Sequence, residues 1–111
     1  QLSLIFDKFK NLNKKVAVVI IPSIYQLDRK QEKTLLSSRV NNNYDVNFPT
    51  KNLEKIFKNK NIDYLNPLTA LQKAQSVKSL IYKTEGHFNS YANLILANEI
   101  KDFIILKNLV F

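Results

Sequence analysis

The chain has 111 residues with 17 Lys and Arg against 9 Asp and Glu, so its formal net charge is +8 and its length suits one domain, residues 1–111. It has no Cys and one His, which excludes disulfides, thiol nucleophiles and every zinc pattern built on thiolates or two imidazoles. Its single Gly excludes the phosphate-cradling loops of P-loop and dinucleotide-binding proteins, and no cofactor is expected.

Leu2, Leu4, Ile5, Phe6, Phe9 and Leu12 recur near helical spacing and predict an amphipathic helix over about 2–13, broken by Asn13-Lys14-Lys15. The continuous β-branched run Val16-Ala17-Val18-Val19-Ile20-Ile21, stopped by Pro22, predicts a strand buried on both faces. Ser23 and Gln26 have the spacing of a capping box ahead of a helix over about 24–40, with room for an interruption. Asn41 to Asp45 is polar without an apolar period, which predicts a loop. Thr50, after Pro49, is the expected cap of a helix with Leu53, Ile56 and Phe57 on one face. Ile62-Asp63-Tyr64-Leu65 predicts a second strand, and Asn66-Pro67 a helix start, because Pro is preset for the first turn; that helix runs to about Gln75. Leu80-Ile81-Tyr82 is a third short apolar run. Beyond the polar stretch Lys83 to Asn89, a long helix from about Ser90 carries Leu94, Ile95, Ile100, Phe103 and Ile104 on a wide apolar stripe. The apolar ending Ile105 to Phe111 either packs back or belongs to something larger.

Strands alternating with helices predict an α/β fold, a three-layer α/β/α arrangement around a mostly parallel sheet, incomplete here because three strands are few. No apolar stretch reaches the roughly 18 to 20 residues of a membrane span. The chain begins Gln1-Leu2-Ser3 without Met, and is expected to be processed or to be a piece of a longer polypeptide.

In open α/β sheets, ligands sit beyond the carboxyl ends of the strands. Of the loops so placed, only Thr84 to Asn89 joins an ionisable base, His87, to a carboxylate, Glu85, two residues earlier. Asn89 needs no catalytic task, since capping the last helix explains it. The order Glu85-Gly86-His87-Phe88-Asn89 before a helix with Ala92, Leu94, Leu96, Ala97 and Ile100 resembles the C-terminal block of SGNH (GDSL-type) hydrolases. Val18-Val19-Ile20-Ile21-Pro22-Ser23 and Ile62-Asp63-Tyr64-Leu65-Asn66-Pro67-Leu68 are similar to the family's late strands, and the likeness spans roughly residues 12–106. It implies a carboxylic-ester hydrolase or O-acyl (acetyl) transferase that works through a Ser-His-acid triad. His87 would be the general base and Glu85 the acid that orients it, with Thr84 at the acid position of some branches. An ester or O-acetylated carbohydrate would be the substrate, and export to the cell envelope the implied location.

The chain has no Gly-Asp-Ser motif and no Gly-x-Asn. Ser23 stands at a strand's carboxyl end, but Ile24-Tyr25 lacks the small residues that a nucleophile elbow needs. The serine is therefore expected outside this chain, and the chain alone is expected to be inactive. Two other readings stay open. One is a non-catalytic fragment or assembly partner that associates with a missing N-terminal half or another chain. The other is a basic module for polyanions, from Lys51, Lys55, Lys58 and Lys60. Nucleic acid is disfavoured as the partner, because the Lys residues are spread along the chain and Arg is scarce.

Overall fold

The computed structural model describes residues 1–38 and 43–109. Its elements in chain order are α1 (Leu2–Asn11), β1 (Ala17–Val19), α2 (Ile24–Leu27), α3 (Arg29–Ser37), α4 (Phe48–Asn59), β2 (Asp63–Leu65), α5 (Leu68–Val77) and α6 (Ser90–Leu106). β1 and β2 pair in parallel with Ala17 opposite Asp63, Val18 opposite Tyr64 and Val19 opposite Leu65. The Ile20 N–H extends the ladder to the Leu65 carbonyl at 2.9 Å.

This architecture corrects the expected three-layer α/β/α sheet. Among the described residues the sheet has two strands of three residues each, and helix dominates. The third apolar run does not join it. Its backbone groups close a local hairpin, with the Tyr82 N–H donating to the His87 carbonyl and the Asn89 N–H to the Leu80 carbonyl, both at 2.9 Å. Ile81 and Phe88 form a single antiparallel bridge there. Once those groups are satisfied locally, nothing is left to extend the parallel ladder. All three residues of β1 are half-buried, so the run expected to be covered on both faces keeps some exposure.

Two apolar cores take the place of one. The first gathers Phe6, Ile20 and Phe57 with Val16, Val18 and Tyr64 around the strand pair. The Phe57 ring meets Phe6 edge-on at 5.8 Å between centroids and lies 5.5 Å from Tyr64. The second joins Leu27, Leu71, Leu80 and Ala92, and so clamps α2, α5, the hairpin and α6 together. Gln26 links the surroundings of both cores, because its buried amide donates to Thr50 Oγ1 at 2.9 Å and Asn47 Oδ1 at 3.2 Å. Its carbonyl also accepts from Gln72 Nε2 at 2.7 Å. The radius of gyration is 16.1 Å, against about 13 Å for a compact domain of this length. Cores set side by side spread the chain.

The helix ends follow local chemistry closely. Asp28 interrupts the run expected over 24–40, and its carboxylate caps α3 by accepting the Lys30 N–H at 2.8 Å. The last two positions of that expected helix, and Asn41 and Asn42 of the loop after it, lie outside the described residues. Thr50 is not a cap: α4 starts at Phe48 with Asn47 before it, so Thr50 falls one turn inside, buried on Gln26. α5 starts one residue after Pro67, with the Leu68 N–H on Asn66 Oδ1 at 3.2 Å. α1, α4 and α6 all end alike. Asn13, Asn61 and Asn108 take left-handed φ values of 53°, 52° and 52°. The next residue's N–H then returns to a carbonyl five positions back: Lys14 to Phe9, Ile62 to Phe57 and Leu109 to Ile104. These are Schellman motifs, with Asn in the place that Gly more often holds. After α6 the chain does pack back, burying Leu109, while Ile105 and Leu106 stay exposed. No helix of the described residues is long and apolar enough to cross a membrane.

Candidate functional site

The hairpin over residues 80–89 is anchored at both ends. Leu80 is fully buried and its N–H donates to Gln75 Oε1 at 2.7 Å. Asn89 is held three ways: its N–H goes to Leu80, its Nδ2 to the Ser79 carbonyl at 2.7 Å, and its Oδ1 accepts the Ala92 N–H at 3.0 Å. Asn89 thus caps α6 and fixes the base of the hairpin together. Between these anchors Gly86 adopts φ +68°, which turns the chain, and its N–H donates to the Tyr82 carbonyl at 3.3 Å. The backbone is held; the tip faces solvent.

His87 and Glu85 project from that tip as neighbours. His87 Nδ1 lies 3.8 Å from Glu85 Oε2, and the two side chains are 81% and 67% exposed. This is within charge contact but longer than a hydrogen bond. Water at the exposed tip screens the pair, which adds little to stability. A neutral imidazole there can accept a proton from an approaching hydroxyl, and a carboxylate on its far side can favour one tautomer. Glu85 is the one carboxylate within 4 Å of a His87 ring nitrogen among the described residues.

The other candidates have structural tasks. Ser23 precedes α2, and its N–H donates to Gln26 Oε1 at 2.9 Å, the return arm of a capping box. Thr84 lies in the exposed turn of the hairpin. Of the basic stripe on α4, Lys51 is paired with Asp45 at 2.7 Å, and Lys60 with Asp7 at 3.0 Å. Among the described residues, those pairs leave Lys55 and Lys58 to carry the stripe's free charge. Among the described residues, no three His, Asp or Glu side chains cluster as metal ligands.

A second feature lies away from the hairpin. A cavity of about 510 Å³ opens beside the N-terminal ends of β1 and β2, lined in part by Lys10, Lys14, Lys15, Lys60 and Lys107. Its one local signal is Lys14-Lys15 ahead of β1, which alone reads as a helix break. No protein-family model, curated protein or solved structure matches the chain.

Proposed function

We propose that this chain carries the histidine-and-acid portion of an SGNH-type carboxylic-ester hydrolase or O-acyl transferase, completed by a serine outside residues 1–111. The observation that carries the reading is the His87–Glu85 pair, 3.8 Å apart on an anchored hairpin that leads into the Asn89-capped α6. In the reaction, the His87 imidazole takes the serine proton as the hydroxyl attacks the ester carbonyl. Glu85, drawn in from 3.8 Å to hydrogen-bond length, stabilises the imidazolium and holds its tautomer. The ring's exposure leaves room for the segment that brings the serine. An ester or an O-acetylated carbohydrate is the substrate class.

The test has two arms. Residues 1–111 alone should not hydrolyse nitrophenyl acetate above background, since nucleophile and oxyanion donors are both missing. In a polypeptide that includes the serine, His87→Ala should lower kcat by at least ~10³, and Glu85→Gln by about 10 to 10³. Activity near wild type in a folded His87→Ala protein overturns the assignment.

A further inference from the structure

We propose that the cavity at the N-terminal ends of β1 and β2 binds a small phosphate monoester with an apolar body. It lies at the strand ends opposite to those where α/β sheets usually place their ligands, and His87 and Glu85 are not part of its lining. The proposal therefore stands apart from the hydrolase reading. At about 510 Å³ it falls in the ordinary size range of small-molecule sites.

The ligand chemistry follows from the lining. Phe6 and Leu109, both buried, and Val16 and Ile62, both half-buried, form an apolar wall. Two carboxylates face the same space, and each is already neutralised. Asp7 accepts from Lys60 Nζ at 3.0 and 3.2 Å, and Asp63 pairs with Lys107 at 3.1 Å. Lys10, Lys14 and Lys15 have no carboxylate partner among the described residues, so they leave three positive charges beside the apolar wall. A phosphate monoester answers both halves: a compact dianion with several acceptor oxygens for the ammonium groups, and a body for the wall.

Lysines near helix ends have a plainer explanation, because cations there complement the helix dipole. That accounts for Lys10 in the last turn of α1 and Lys107 at the end of α6. It does not account for Lys14 and Lys15, which lie past the end of α1. The left-handed Asn13 turns the chain there, and the Lys14 N–H closes the Schellman motif on Phe9 at 3.0 Å. The turn brings this pair to the cavity.

The experiment is calorimetric titration of the chain with 1-naphthyl phosphate, and separately with 1-naphthol and inorganic phosphate. One saturable site is expected for naphthyl phosphate, at least about tenfold tighter than either half alone. Lys14→Glu/Lys15→Glu should weaken it at least about tenfold, with the milder Lys14→Gln/Lys15→Gln weakening it less, while Lys55→Glu/Lys58→Glu, equal in charge change, should shift it by about threefold or less. Circular dichroism checks that each variant is folded. Three results overturn the proposal. They are no saturable heat up to about 5 mM ligand, naphthol binding as tightly as its phosphate, or equal loss in both charge-reversal pairs.

Discussion

Asp45 shows how a single exposed side chain can organise the start of a helix. Its Oδ2 accepts from Lys51 Nζ at 2.7 Å and its Oδ1 from the Asn47 N–H at 2.8 Å, joining the loop to the first turns of α4. The Lys51 hydrogen bond, followed by the Asn47 N–H, holds the carboxyl below its ordinary pKa. A carboxylate whose folded pKa is depressed stabilises the fold above its unfolded value of about 3.9, and that contribution is lost as pH falls through the folded value. Asp45→Asn should therefore melt below the wild type near pH 7, and the two should converge at about pH 2. Thermal unfolding followed by circular dichroism at both pH values checks it, and a gap that persists in acid would point to packing instead. Gln26 works the same way in the interior, since its buried amide and carbonyl are all partnered.

At the scale of elements, chain reversals decide where functional groups end up. Three of the described reversals rest on left-handed Asn residues and one on Gly86, at φ +68°. A Cβ built on Gly86 would meet nothing within 4 Å, so the cost of a side chain there is conformational alone. Gly86→Ala should destabilise the protein by about 1 to 2 kcal/mol, and Gly86→Asn by less, because Asn tolerates that region better. Denaturant unfolding measures both; an Ala variant as stable as wild type would mean that the hairpin tip does not need this turn. Caps made by adjacent residues were legible in the sequence: Asn89 for α6, and Ser23 with Gln26 for α2. Thr50 departs from its expected role because a cap and a residue one turn inside look alike until Gln26 arrives from 24 positions away.

At the scale of the molecule, apolar surface is left uncovered. On α1 only Phe6 is buried, while Leu4 is 72% exposed and Leu2, Ile5, Phe9 and Leu12 are exposed as well. Ile105 and Leu106 add to this at the end of α6. A two-stranded sheet also has no described third strand on either side, and unpaired edges favour association. Sedimentation velocity should show concentration-dependent self-association of the chain, reduced by Leu4→Lys/Leu12→Lys without loss of helical circular dichroism. A single monomeric species at all concentrations would contradict this.

By itself the sequence determined what neighbouring residues can settle. The periods of α1, α4 and α6, the β-branched run of β1, the parallel sense of its pairing with β2, and the order Glu85-Gly86-His87-Phe88-Asn89 were all legible, because propensity, capping and spacing act over a few positions. The number of strands was not. Leu80-Ile81-Tyr82 has a strand's composition, but whether its N–H and C=O groups pair within a hairpin or along a sheet depends on what the rest of the chain brings near. The 3.8 Å between His87 and Glu85 is likewise a tertiary outcome, since side-chain direction at an exposed turn is not set by spacing. So is the lysine-lined cavity, which forms only where α1, α4 and α6 end together beside the start of the strands. Sequence distance hides such convergence, because long-range packing alone brings Lys14, Lys60 and Lys107 to one place.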